Sequence, residues 1–301
     1  MDKLMPFGTI ERMTNVRPPV RGAEASPEGW GVDEIYLHGN GYVARSFNSR
    51  NRYEFSWSER SLQTEQQLMS AYSHGTYGRG KIYFYLPTTY HTNVLAKSWA
   101  DPSMVLDHEA PPHRWEAIPE KVDTAFEIPD LPVYSVYYNL ENTPAGFPGL
   151  DQAMFLPITP GVASTLKLYA HYDYAGDGGL YWAYVGKSGS IMGSPVRVDP
   201  ADGGPSLEVP LSNGPAASGI AIWVGREGTP GESNSVTLTG LRAMIETDKN
   251  GYLVAREESD YRWVSGQGHN GCAFAAHPTN IIHGPHQGGN VSFDVSLREV
   301  Q

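Results

Sequence analysis

Apolar and polar positions along this chain form short alternating runs, broken by one stretch at helical period. Tyr53, Phe55 and Trp57 alternate with Glu54 and Ser56, which predicts a strand with one buried face. Residues 31–43 and 46–57 read as strands, and His38-Gly39-Asn40-Gly41 as a hairpin-type turn. Leu62, Leu68, Met69 and Tyr72 recur on one side at the 3.6-residue period, so one short helix is expected there. Ser61 would cap its start, and Gly75 would end it in the left-handed conformation that glycine enters cheaply. Gly78 and Gly80 then turn the chain into residues 81–86, an aromatic and β-branched run that predicts a buried strand closed by Pro87. A tightly packed loop is expected to follow, through Tyr90, Asn93, Trp99, Asp101 and Pro102.

Between residues 107 and 132, Pro111, Pro112, Pro119, Pro129 and Pro132 are mixed with charges, the text of an extended connector. Seven short strand-like runs follow, at 133–140, 153–158, 165–172, 180–185, 207–211, 219–224 and 235–245, separated by glycine, proline or aspartate turns. Such a series predicts a β-sandwich or jelly roll. After Asn250-Gly251 the style of the beginning returns, with a strand at 261–264, a glycine-rich turn over 266–272 and an alternating strand at 290–300. Residues 1–30 carry Pro6, Pro18, Pro19 and Pro27 with scattered arginines, and read as an extended arm ordered against a neighbouring subunit.

Composition narrows the class without changing that layout. The 301 residues are enough for two domains, and 33 Gly, 23 Pro and 11% aromatics suit a strand-and-turn, mainly β protein. The single cysteine, Cys272, excludes an internal disulfide and points to assembly in a reducing compartment. MDKLMPFGTIERM lacks the uninterrupted apolar core of a signal peptide, and runs such as 220–224 fall far short of the ~20 residues of a membrane helix. A soluble chain with no membrane insertion is expected. The net charge of −11 argues against a nucleic-acid binder, which needs clustered Lys and Arg. Residues 130–248 hold five Lys+Arg against twelve Asp+Glu, so −7 of the total sits in the strand-rich middle.

The helix, then G-x-x-G-x-G-K-I-Y-F over 75–84, then T-N-V-L…W-A-D-P-S over 92–103, resembles the minor tail proteins of long-tailed phages of actinobacteria. Those are similar in role to the distal tail proteins that join the tail tube to the tip. The W…G-x-G-H-x-G stretch at 263–271 resembles the one that precedes their closing strands. A-S-G-I-A-I-W-V-G…G-T-P-G-E-S-N-S-V-T-L-T-G-L-R-A-M-I resembles the jelly-roll carbohydrate-binding modules found inserted in tail-tip proteins. The resemblance implies a discontinuous tail domain, 1–125 with 251–301, around an inserted jelly roll at 126–250. It implies a virion protein, assembled in the host cytoplasm into a homo-oligomeric ring, a hexamer by analogy. Tail tube protein and tail-tip or hub proteins would be its neighbours, host cell-wall glycan a further contact, and DNA only passing cargo. An acidic lining would let that DNA slide, but the simpler reading of the acidic balance is a solvated surface that aids solubility. Tyr90, Asn93, Trp99, Asp101 and Pro102 are the residues expected to reach a neighbouring subunit. The alternative is a stand-alone carbohydrate-binding protein.

Candidate chemistry is sparse. His269, Cys272, His277, His283 and His286 have spacings that can be forced onto zinc, but lack the paired-cysteine knuckle and an evident partner carboxylate other than Asp294. Nothing marks an electropositive pocket to lower the Cys272 thiol pKa. Gly75, Gly78 and Gly80 run from helix into strand, the reverse of a phosphate loop, and no G-K-[ST] follows. Asp173 and Asp177, with Gly178, are too few to assign a calcium site, although jelly-roll modules often hold a structural calcium. Among Tyr172, Tyr174, Tyr181, Trp182, Tyr184 and Trp223, we read Trp223 as core and Tyr172, Tyr174 and Tyr184 as surface candidates for stacking on sugar rings. No paired carboxylate motif for glycoside cleavage is evident. The expectation is therefore a non-enzyme without cofactor or metal.

Overall fold

The structure, a computed structural model, describes residues 5–19, 24–29, 32–37, 41–46, 49–61, 63–78, 80–86, 89–90, 92–100, 116–120, 133–141, 143–158, 164–202, 204–211, 216–228, 234–247, 266, 268–269, 271–282 and 291–300. The chain is mainly β, built of antiparallel sheets. It packs as two compact units. The first comprises Met1–Thr9, Asn15–Leu86 and His269–Gln301, and the second Ile10–Thr14 and Pro87–Gly268.

A sheet of order β2-β1-β7 comprises β1 (Met5–Thr9) and β7 (Tyr83–Phe84) of the first unit and β2 (Arg12–Val16), of which Asn15 and Val16 belong to that unit. The second sheet has the order β17-β19-β6-β3, from β3 (Glu24–Gly29), β6 (Ser49–Ser61), β17 (Cys272–Phe274) and β19 (Val291–Glu299). The strand β18 (Thr279–Ile282) pairs with β19 beyond β17. A separate pair joins β4 (Val32–Leu37) to β5 (Gly41–Ser46) antiparallel in the register Leu37↔Gly41, so the run 31–43 spans parts of two strands; residues 38–40 of the expected turn lie outside the described residues.

The alternation in β6 does what its period predicts. Tyr53, Phe55 and Trp57 are buried, and they stand opposite Leu297, Val295 and Phe293 of β19. Trp57 stacks on Phe293 at 4.8 Å with the planes 8° apart. The helix α1 (Gln63–Ser73) presents Met69 and Tyr72 to this core, with Leu68 packed beside them. Gly75, at φ 68°, ends it, with Thr76 N–H donating to the Ala71 carbonyl at 2.8 Å.

The N-terminal stretch corrects the expected arm. Met5 and Phe7 are fully buried, Phe7 ↔ Phe84 is a register pair, and Phe7 meets Tyr72 edge-on at 5.7 Å. An alternating M-P-F-G-T segment with two large apolar side chains satisfies its burial within its own unit, each side chain worth roughly 1.5–3 kcal/mol. The chain leading from it is latched by Trp57 Nε1, which donates to the Arg17 carbonyl at 2.9 Å, and by Arg17 N–H, which donates to Glu65 Oε1 at 3.2 Å.

In the second unit one sheet has the order β10-β15-β12-β13, from β10 (Met154–Pro157), β12 (Gly178–Gly186), β13 (Ile191–Val198) and β15 (Ala217–Arg226). The other has the order β14-β11-β16-β9-β8, from β8 (Glu116–Glu120), β9 (Val133–Asn139), β11 (Ser164–Ala175), β14 (Leu207–Pro210) and β16 (Ser235–Thr247). Each of the seven expected runs is a strand. The sequence reading missed β8 and β13; Gly193, at φ 82°, and Pro195 break the pattern of β13. The connector at 107–132 and the strand at 261–264 lie largely outside the described residues.

Candidate functional site

The segment proposed for assembly belongs to the second unit, where it lies along β16. The Val94 N–H donates to the Ala243 carbonyl at 2.9 Å, and the Ile245 N–H donates to the Tyr90 carbonyl at 3.0 Å. Asn93, with no exposed surface, is bonded there through both ends of its amide: Oδ1 accepts from the N–H groups of Ala243 (3.0 Å) and Leu95 (3.2 Å), and Nδ2 donates to the Leu241 carbonyl at 3.3 Å. Arg242 Nε donates to the Thr92 carbonyl at 2.8 Å. The short helix α2 (Lys97–Ala100) follows, and Trp99 within it is half-buried. Gly266 and Gly268 pack against this segment so closely that a Cβ on Gly268 would stand 1.9 Å from the Val94 carbonyl oxygen.

This placement corrects the sequence reading in two ways. Tyr90 and Asn93 are buried and bonded inside their own unit, so their side chains are not offered to a neighbouring subunit. Burial also pushes the Tyr90 hydroxyl pKa above its usual value. In addition, 89–100 pack with the strand-rich middle instead of with the first domain, because the open edge of β16 beyond its β9 pairing needs hydrogen-bond partners. Asp101 and Pro102 lie outside the described residues.

The sugar-stacking candidates separate. Tyr172 is 4% exposed and its hydroxyl donates to the Val198 carbonyl, so it is a core residue, and desolvation raises its pKa to about 12. Inward alternation of Leu166, Leu168, Ala170 and Tyr172 along β11 is the cause. Tyr174 is 44% exposed, but the Arg197 guanidinium sits 4.0 Å from its ring centroid and covers one face. Tyr184 is half-buried, with its hydroxyl donating to the Pro210 carbonyl at 3.1 Å. Trp223 is buried as expected, against Phe147 at 5.0 Å and Tyr181 at 6.2 Å.

The missed strand β13 supplies the residues the sequence reading overlooked. Trp182 stands opposite Val196, and Tyr184 opposite Met192, across β12 and β13. Met192 is 41% exposed and Val196 50%, and β13 is the edge of its sheet. Trp182 meets Tyr184 edge-on at 5.4 Å. Among the described residues, the exposed large apolar side chains are Tyr174, Met192 and Val196, all in this unit. The signal was present in Ile191-Met192 and Val196-Arg197-Val198, either side of the glycine and proline.

The histidines and the cysteine also disperse. The Cys272 backbone pairs with Ile82 in both directions, at 2.6 and 2.8 Å, and its buried thiol is held well above its usual pKa by desolvation, with the Glu299 carboxylate adding to the shift. His269 Nε2 donates to the Phe84 carbonyl at 3.1 Å, while Nδ1 accepts the Gly271 N–H at 2.9 Å. Both ring nitrogens are thus engaged, the neutral Nε2–H tautomer is selected, and desolvation lowers the imidazole pKa to about 4. His277 lies instead against His74, and His283 and His286 are outside the described residues. Among the described residues no group of three or more His, Cys, Asp or Glu is placed to hold a metal ion. Gly75, Gly78 and Gly80 all have positive φ and form the turns between α1 and β7.

Comparison of the chain with protein-family models, with curated proteins and with solved structures finds no match.

Proposed function

We propose that this chain is a structural component of a phage tail, forming a ring at the distal end of the tail tube and linking tube to tip. The observation that supports this reading is the meeting of two of the stretches on which the resemblance rests. Ile82, from G-x-G-K-I-Y-F, forms a paired bridge with Cys272, and Phe84 accepts the hydrogen bond of His269, from G-x-G-H-x-G. Residues far apart in sequence thus build one packed feature of the first unit. In this reading residues 126–250 are an inserted jelly roll. The ring is heterologous, so each subunit carries two different complementary surfaces. Tail tube and tip proteins are the neighbours, and DNA passes without being read.

The experiment is the solution mass of the purified chain by light scattering, with negative-stain images of the same sample. A discrete ring near the hexamer is expected. A monomer that stays monomeric when mixed with its tail-tube and tip neighbours would overturn the reading.

A second reading, a stand-alone carbohydrate-binding protein, is favoured by the apolar edge at Trp182, Tyr184, Met192 and Val196. Aromatic faces stack on the apolar side of sugar rings, and the −7 charge of residues 130–248 repels polyanions, so a neutral cell-wall polysaccharide is the ligand. Sedimentation with purified cell-wall polysaccharide tests this. Binding that Trp182→Ala reduces at least about tenfold, in a chain that forms no ring, would favour it over the tail reading.

A further inference from the structure

We propose that His74 and His277 form a two-histidine site for a transition-metal ion of the Zn2+, Ni2+ or Cu2+ kind. His74 follows directly on α1, and His277 sits in the turn between β17 and β18; both are exposed. Their imidazoles lie 4.5 Å apart between centroids, with the planes 15° from parallel.

Each ring is oriented through Nδ1. His74 Nδ1 donates to the Ser70 carbonyl at 2.8 Å. Ser73 Oγ donates to that same carbonyl at 2.9 Å, which leaves it only lone pairs for His277 Nδ1, 3.4 Å away. Both Nδ1 atoms therefore carry protons, and in the neutral rings both Nε2 atoms keep a lone pair. This is the outer-shell arrangement of metal-binding histidines, in which one nitrogen donates to a carbonyl or hydroxyl and the other binds the ion.

A tetrahedral ion with metal–nitrogen bonds of 2.0–2.1 Å needs its two nitrogens about 3.3 Å apart and both lone pairs turned towards it, so the near-parallel rings must rotate out of their stack. Side-chain torsion of two exposed residues supplies that, while Pro278 restricts the backbone beside His277. Two neutral imidazoles suit Zn2+, Ni2+ and Cu2+ and not Ca2+ or Mg2+, which want oxygen. The remaining positions are left to water or to a donor from a neighbouring molecule.

The test uses the full chain, Ni2+ as the probe, and calorimetry together with NMR of the histidine rings. One equivalent should bind, and the ring signals of His74 and His277 should broaden first. His74→Ala and His277→Ala should each weaken binding at least about tenfold, and the double variant should lose it. Ser73→Ala keeps both ligands but loosens His277, and should weaken binding by about tenfold or less. Because the chain has 10 histidines, unchanged affinity in a folded double variant would place the ion elsewhere and overturn the proposal. Broadening that spares these two rings would do the same.

Discussion

In the first unit the core is gathered from separated pieces of chain: Met5 and Phe7, Tyr53 to Trp57, Met69 and Tyr72, Ile82 and Phe84, and Phe293 to Leu297. Its contacts are ring on ring. Phe84 meets Tyr53 and Phe55 edge-on at 5.2 Å each, and Phe7 lies over Phe84 at 6.1 Å. In the second unit the buried side chains are mostly aliphatic, among them Leu166, Leu168, Leu180, Ile220, Ile222, Leu241 and Ile245, all on long strands. The difference teaches what each core depends on. A few large rings with preferred geometry hold a small unit through specific pairs. A wide aliphatic core spreads its stability over many interchangeable side chains.

The sharpest way to break that contrast is Trp57→Ala. It removes the stack on Phe293 and the bond to the Arg17 carbonyl, and should cost about 3–5 kcal/mol, with hydrogen exchange rising in the first unit only. A loss below about 1 kcal/mol in denaturant unfolding would mean the ring pairs are not what holds this unit. Asn93→Ala probes the second unit where it depends on polar bonds. It strands the N–H groups of Leu95 and Ala243 and should cost about 2–4 kcal/mol by the same measurement.

The pH dependence of the first unit comes next in size. The His269 pKa is lowered in the fold, to about 4 against 6.5, so the unfolded chain binds more protons between those values and stability falls as pH drops through that window. Between pH 7 and pH 5 the loss should be about 2 kcal/mol, and His269→Gln should flatten it. An equally steep profile in that variant would assign the effect to other groups. The smallest change is expected at Lys167, whose ammonium lies 2.7 Å from Glu246 on the surface of the second unit. Lys167→Ala should shift stability by no more than about 0.5 kcal/mol, less at high salt.

The same contrast explains what could be read in advance. The strands of the second unit announce themselves, because alternation in Thr165–Tyr169 and Val236–Thr239 repeats with the period of the pleat. The edge strand β13 did not, since Gly193 and Pro195 interrupt its alternation where a bulge separates Trp182↔Val196 from Tyr184↔Met192. The candidate surface moved with it. Tyr172 and Tyr174 share one face of β11, with ring centroids 6.0 Å apart, but only Tyr172 reaches the packed interior, while Tyr174, next to the strand's last residue, stays 44% exposed. The N-terminal strand was hidden by its prolines, which speak only of local conformation and not of the sheet that receives Met5 and Phe7.

By itself the sequence determined a mainly β chain with one short helix, the buried face of β6 and the positions of most strands, because these follow from periodicity within a few residues. Tertiary structure alone decided which pieces share a unit. The Thr89–Ala100 segment lies along β16, β1 enters a sheet with β7, and His74 finds His277, through hydrogen bonds and contacts between residues far apart in the chain. Such pairings depend on which edges and apolar faces are left open elsewhere, and no local pattern encodes that.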